Sequence, residues 1–136
     1  METLKSVICV LALATLSIIS FPKAEAQLRE RPAVECSSLP LGSNPRDVSV
    51  RIDRSFGSSF QNATVRTGEL TTYHTVLLQQ TTSWTEIRYW GNNFDLAINM
   101  FMENGIKYNT PYDATLQVSN LYGGRPIQMR CEFLRF

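Results

Sequence analysis

The feature that most constrains the fold of this chain is the two-residue period of its apolar side chains. Val48, Val50 and Ile52 alternate with polar residues, and the same alternation returns in residues 114–118 and 127–133. Successive side chains of a β-strand point to opposite faces, so this period predicts strands with one buried and one solvated face. No window of ten or more residues has the apolar spacing of an amphipathic helix.

Turn signals separate these strand-like runs at short intervals. They occur at Gly68-Glu69, Gly91-Asn92-Asn93, Asn104-Gly105 and Gly123-Gly124. Both residues of an Asn-Gly pair tolerate positive φ, so we expect a hairpin at residues 104–105 with residues 106–108 as its return strand. The pattern predicts an all-β fold, a small antiparallel sandwich or barrel of about six to eight strands.

The first 26 residues have the layout of a secretory signal peptide. Glu2 and Lys5 precede an apolar run over residues 7–21, and Ala24-Glu25-Ala26 places small residues at the positions that a signal peptidase reads. The apolar run is shorter than the roughly 20 residues that a membrane-spanning helix needs. We therefore expect cleavage before Gln27, secretion to the extracellular space and no membrane span.

The remaining chain of about 110 residues has the size of one domain. Three segments are expected: a signal peptide over 1–26, an extended, proline-containing N-terminal arm over 27–47, and an antiparallel β domain over 48–136. The formal net charge of the whole chain is +1, which argues against electrostatic attraction to nucleic acid or to an anionic membrane.

Two cysteines, Cys36 and Cys131, remain after removal of the leader, which contains Cys9. An exported chain meets an oxidising environment, so we expect an intrachain Cys36–Cys131 disulfide. It would tie the start of the domain to its last strand. The alternatives are two free thiols or an intermolecular bridge.

An aromatic cluster supplies the candidate binding surface. Alternation places Trp84, Glu86, Arg88 and Trp90 on one strand face, with Ile87 and Tyr89 on the other. If the latter face is the core, both tryptophans point outward; the alternative is that these large aromatics form the core. Indole rings beside amides suit sugar stacking or a protein contact. The predicted contact residues are Trp84, Glu86, Arg88, Trp90, Asn92 and Asn93.

Other site motifs are sparse. Asn62-Ala63-Thr64 fits the N-glycosylation acceptor pattern, so Asn62 is a predicted glycosylation site. The acidic residues are scattered and His74 is the sole histidine, so we expect no metal site, no cofactor and no catalytic residues. The ligand would be an extracellular protein or a carbohydrate, with no role for nucleic acid.

These observations favour a small secreted, non-enzymatic binding or effector protein. Three other functions remain open. A secreted hydrolase or ribonuclease would use His74 with partners such as Glu86, Arg88 or Asp95. A carrier of small apolar ligands would require a hollow barrel. A structural protein would self-associate through an exposed edge strand.

The last third of the chain resembles a known family. Residues 114–119, residues 122–129 and the closing Phe133 are similar to the C-terminal signature of the insect multiprotein bridging factor type two-like family of small secreted proteins. Residues 66–70 and Tyr73 resemble an earlier turn-and-strand element of that family, and Glu103-Asn104-Gly105 stands in place of its glycine-rich centre. The resemblance implies a chain of this length with a leader peptide and a β fold. The family name implies transcriptional co-activation, which an exported chain is not placed to perform.

Overall fold

Ten β-strands form most of the chain that the structure describes. The computed structural model describes residues 30–80, 85–100 and 105–135. The predicted signal peptide lies outside these ranges. Within them the helical content is one 3-10 turn, Tyr122–Gly124. The strands are, in chain order, β1 (Glu30–Arg31), β2 (Ala33–Ser38), β3 (Ser49–Ile52), β4 (Ser55–Phe56), β5 (Phe60–Arg66), β6 (Thr71–Gln80), β7 (Glu86–Gly91), β8 (Phe94–Asn99), β9 (Tyr112–Val118) and β10 (Ile127–Leu134).

Eight of these strands close into an antiparallel barrel. Its order is β2-β3-β5-β6-β7-β8-β9-β10, and β10 pairs back with β2. The short strands β1 and β4 form a separate pair. The predicted all-β fold is confirmed, as a barrel. Because each of the eight strands is paired on both sides, none of them offers the free edge that strand-to-strand self-association requires.

The connections between the barrel strands fall into two groups because neighbouring strands run in opposite directions. We call one end the mouth; it carries the connections 39–48, 67–70, 92–93 and 119–126. We call the other end the base; it includes residues 53–59 and 105–111, and the chain enters and leaves the barrel there.

The barrel interior is packed with apolar side chains. Inward and outward residues alternate along each strand, as in β10, where Ile127, Met129, Cys131 and Phe133 are buried. The largest fully buried side chains include Tyr89, Phe133, Ile52, Leu96, Leu116 and Met129. An eight-stranded barrel is narrow enough for side chains to fill. This filled interior differs from the hollow one that an apolar-ligand carrier would require.

Polar residues close the base of the barrel. Arg31 is buried and its Nη1 donates a hydrogen bond to the Ser58 carbonyl oxygen at 2.5 Å. Gln61 is also buried, and its Nε2 donates to the carbonyl oxygens of Pro32 at 3.3 Å and Asp53 at 3.1 Å. These bonds satisfy carbonyl groups of the base segments and hold them over the core.

The predicted disulfide is confirmed. Cys36 on β2 and Cys131 on β10 lie directly opposite each other and are bonded. Both are buried in the core. The bond joins the first and last barrel strands where the barrel closes.

The expectation of an N-terminal arm over 27–47 needs correction. Residues 33–38 form β2, a barrel strand paired on both sides. Val34 and Cys36 point into the core, and Glu35 points outward. Pro32 and Pro40 favoured the prediction of irregular backbone. They flank β2, so neither removes a backbone N–H donor from the hydrogen bonds between β2 and its neighbours. Residues 39–48 then connect β2 to β3.

Two further strand predictions differ from the structure. Residues 106–108 are not the return strand of a hairpin, because β8 pairs with β9 and Tyr108 makes only an isolated bridge to Phe133. Asn104 lies outside the described residues, and Gly105 has a φ of 106°. The Gly/Ser-rich stretch 56–61 is typical of a loop, but strand β5 begins inside it, at Phe60.

Candidate functional site

The outer face of β7 carries most of the predicted contact residues. Ile87 and Tyr89 are buried at 1% and 0% exposure, so their face is the core. Glu86, Arg88 and Trp90 therefore point outward, and Trp90 remains 47% exposed. The structure thus places Trp90 on the surface. Trp84 lies outside the described residues.

Arg88 links the charged groups of this face. Its Nη2 lies 3.5 Å from Glu86 Oε1, and its Nε lies 3.4 Å from Asp95 Oδ1. The Nε and Oδ1 atoms are covered from solvent yet lack hydrogen-bond alignment, so charge attraction holds them together. Asp95 lies directly across from Trp90 on β8. The positive charge of the Arg88 guanidinium therefore balances part of the negative charge of Glu86 and Asp95 next to the indole ring of Trp90.

The turn Asn92–Asn93 joins β7 to β8 at the mouth. Asn93 has a φ of 62°, a left-handed conformation that asparagine tolerates better than most residues. Its carbonyl oxygen accepts a hydrogen bond of 3.1 Å from Ser119 N, which ties the turn to the connection between β9 and β10. The side chains of Asn92 and Asn93 are exposed.

Gly91 precedes this turn because the backbone of β6 leaves no room for a side chain. A Cβ at this position would lie 2.3 Å from the Thr75 carbonyl oxygen. The close approach of the two strands sets the position of Trp90 relative to Asn92.

Two depressions meet at Asn93. The first, which we call the Trp90 groove, has a volume of about 440 Å³. It is lined by Trp90, Gly91, Asn93, Phe94, Asp95, Gln117, Ser119 and Gly124. The second, which we call the mouth cleft, has a volume of about 420 Å³. It is lined by Leu70, Thr72, Tyr73, His74, Thr75, Asn92, Asn93, Val118, Asn120 and Leu121.

His74 belongs to the mouth cleft. It points inward from β6; its ring centroid lies 5.1 Å from that of Phe94, and its Nε2 lies 3.0 Å from Thr72 Oγ1. Among the described residues that line the cleft, none carries a carboxylate. Glu86 and Arg88 are on the outside of the barrel wall, so the structure does not bring them together with His74.

The predicted contact residues therefore form two subsets. Glu86, Arg88 and Trp90 follow one another along the outer face of β7, and Asn92 and Asn93 form the turn at its mouth end. Sequence reasoning missed Asp95 and Gln117 as members of this surface. Their place follows from the strand register, in which Trp90 faces Asp95 and Asp95 faces Gln117.

The same register continues in the opposite direction as an apolar row. Trp90 faces Leu77 on β6, and Leu77 faces Phe60 on β5. Phe60 is 55% exposed. Asn62 lies two residues further along β5 and is exposed on the same outer face.

The described residues also bear on metal sites and membrane spans. Residues 30–80, 85–100 and 105–135 contain no group of three or more His, Cys, Asp or Glu side chains arranged to hold a metal ion. Over the same ranges, no helix has the length and apolar character that a membrane crossing requires.

Comparison with protein-family models, curated proteins and solved structures finds no match to this chain. The resemblance of the C-terminal third to the insect family stays a prediction.

Proposed function

We propose that this chain is a secreted, non-enzymatic binding protein that binds a carbohydrate in the Trp90 groove. The observation that carries the proposal is the surface position of Trp90 on a strand whose other face is fully buried. An exposed indole in a fixed strand offers a flat apolar platform at low entropic cost, because the backbone is already ordered.

The surroundings of Trp90 favour a sugar as the ligand. The C–H face of a pyranose ring stacks on an indole, while its hydroxyl groups need donors and acceptors beside the ring. Asp95, Gln117 and Asn93 supply a carboxylate and two amides in the same groove. Arg88 lies between two carboxylates, so the groove does not favour an anionic ligand.

The test is binding of neutral oligosaccharides to the full chain secreted from eukaryotic cells. An immobilised glycan panel identifies a ligand, and titration calorimetry then compares the wild type with Trp90→Ala. We expect at least a tenfold loss of affinity with little change in the melting temperature. The matched control is Phe56→Ala, because Phe56 is 75% exposed on β4 at the base. Failure to bind any glycan, or equal affinity for both variants, would contradict the proposal.

Secretion is part of the proposal and has its own test. The apolar run and the small residues before Gln27 support removal of a leader, and a buried disulfide is compatible with an oxidising compartment. Protein recovered from the culture medium should begin at Gln27. Protein that stays in the cells with Met1 in place would contradict secretion.

Glycosylation of Asn62 is the remaining part of the proposal. The acceptor pattern Asn62-Ala63-Thr64 lies in β5 with the Asn62 side chain exposed. Intact mass before and after glycosidase treatment of the secreted protein tests occupancy.

A further inference from the structure

We propose that the glycan on Asn62 packs on the barrel's own surface, across Phe60 and Leu77. This inference rests on the proposed secretion and glycosylation, and it is independent of sugar binding in the Trp90 groove. The Phe60 and Leu77 part of the apolar row would then be covered by a covalently attached sugar, and Trp90 would remain uncovered.

The outer face of β5 places an exposed aromatic ring beside Asn62. Phe60, Asn62 and Thr64 share the outer face because side chains two residues apart point the same way. Such neighbours lie roughly 6.5–7 Å apart along a strand. Asn62 therefore lies between the exposed ring of Phe60 and the hydroxyl group of Thr64, which completes the acceptor pattern.

The neighbouring strand β6 places a second apolar side chain near Asn62. Asn62 faces Thr75 on β6, and Phe60 faces Leu77. Leu77 is thus the diagonal neighbour of Asn62, at about 7–8 Å. A sugar attached to Asn62 and leaning towards the base meets Phe60 directly below and Leu77 to one side.

The surface next to Asn62 suits the apolar face of a sugar ring. N-acetylglucosamine has a C–H face that suits an aromatic ring, and Phe60 is 55% exposed. Covering this apolar surface with the sugar removes it from water, which is favourable. Thr75 supplies a neutral polar group beside Leu77. The charged Asp53, whose backbone N donates to the Asn62 carbonyl oxygen at 2.9 Å, lies on the β3 side of Asn62, away from Leu77.

A glycan that lies across Phe60 and Leu77 does not reach the Trp90 groove. Leu77 separates Phe60 from Trp90 in the apolar row. The Trp90 groove is lined from β7, β8, β9 and the connections at their mouth ends, on the side away from Asn62. A glycan on Phe60 and Leu77 therefore leaves the Trp90 groove open to a ligand.

The modification is an ordinary group transfer. An oligosaccharyl transferase joins Asn62 Nδ2 to C1 of N-acetylglucosamine from a lipid-linked oligosaccharide pyrophosphate. The lipid pyrophosphate leaves, and the amide loses one proton. In the finished barrel β5 is paired with β3 and β6, so the transfer takes place before the strand is incorporated.

The test compares four forms of the secreted full chain. These are the wild type, Asn62→Gln, Phe60→Ala and the double variant, with each acceptor-containing form trimmed to one N-acetylglucosamine. We expect the sugar to raise the melting temperature by about 3–5 °C when Phe60 is present. The increment should fall to less than half in the Phe60→Ala background. Two further control forms, Phe56→Ala with and without Asn62→Gln, remove an exposed ring that is not part of the apolar row and should keep the full increment.

A direct contact measurement accompanies the melting experiment. Nuclear Overhauser contacts between the sugar protons and the Phe60 ring are expected in the wild type. An unmodified Asn62 would overturn the glycosylation and the packing together. A modified Asn62 with equal increments in both backgrounds, and without these contacts, would overturn the packing and leave the glycosylation intact.

Discussion

Cys36 and Cys131 lie directly opposite each other on β2 and β10, the first and last strands of the barrel. They are separated by 95 positions in the sequence and bonded through their sulfur atoms. The hydrogen-bond ladder between β2 and β10 is the longest-range pairing in the barrel order, and the disulfide fixes its register. The bond therefore stabilises the step that turns an open sheet into a closed barrel.

Replacing both cysteines by alanine is expected to lower the free energy of unfolding by about 4 kcal/mol. Release of a closed loop of this length restores conformational freedom to the unfolded chain. Urea unfolding of the wild type and the double variant measures the difference. Each single-cysteine variant should show the same decrease in the free energy of unfolding, because the disulfide is absent from both single variants and from the double variant. A double variant that unfolds at the wild-type urea concentration would contradict a stabilising role.

Gly91→Ala is expected to destabilise the barrel by about 2 kcal/mol, because the new Cβ would lie 2.3 Å from the Thr75 carbonyl oxygen. The melting temperature should fall by about 10 °C. Gly68→Ala is the matched control, since no atom lies within 4 Å of a Cβ built there. Equal melting temperatures for the two variants would contradict this prediction, because β6 and β7 would then accommodate the added Cβ without a loss of stability.

Tyr89 provides a prediction on pH dependence. Burial raises the pKa of Tyr89 above its ordinary value of about 10, and the positive charge of Arg31 lowers the pKa by a smaller amount. Above about pH 10 the unfolded chain loses the phenolic proton while the folded chain keeps it. The free energy of unfolding should then fall by about 1.4 kcal/mol per pH unit. Urea unfolding between pH 9 and pH 11 should show stability falling towards this slope above about pH 10 in the wild type, and a smaller fall in Tyr89→Phe.

The same substitution has an effect at neutral pH. The Tyr89 hydroxyl is buried and has no hydrogen-bond partner among the described residues. Its removal should leave stability unchanged or raise it by about 1 kcal/mol. The control is Tyr112→Phe, because the Tyr112 hydroxyl accepts a hydrogen bond from Lys107 N at 3.1 Å. That variant should lose about 1 kcal/mol. A larger loss for Tyr89→Phe would mean that its hydroxyl is bonded.

The sequence alone was sufficient to predict a strand where apolar and polar residues alternate within that strand. The predicted alternation over residues 114–118 lies within β9, and the inward positions of β10 follow from Ile127, Met129, Cys131 and Phe133. Strand β2 was missed because its alternating stretch is short and flanked by Pro32 and Pro40. The return strand at residues 106–108 was wrong because the local Asn-Gly signal carries no information about the distant partner β9.

The candidate site was predictable only along one strand. Alternation places Glu86, Arg88 and Trp90 on one face, and the burial of Ile87 and Tyr89 shows which face is outward. Asp95, Gln117 and Phe60 join this surface through cross-strand register. Register depends on how the whole barrel closes, and no local pattern encodes it.

Asp95→Asn provides a test of the charged groups in the Trp90 groove. The substitution keeps the shape of the side chain but removes the charge that Arg88 meets at 3.4 Å. This ion pair is partly exposed, so the free energy of unfolding should change by less than about 1 kcal/mol. Binding of the oligosaccharide should weaken about tenfold, because a charged acceptor beside Trp90 is replaced by a neutral one. Asp113→Asn is the control, since Asp113 pairs with Arg130 at 3.8 Å on the outer face of β9 and β10. Titration calorimetry on both variants measures the difference, and equal affinities would exclude Asp95 from the ligand contact.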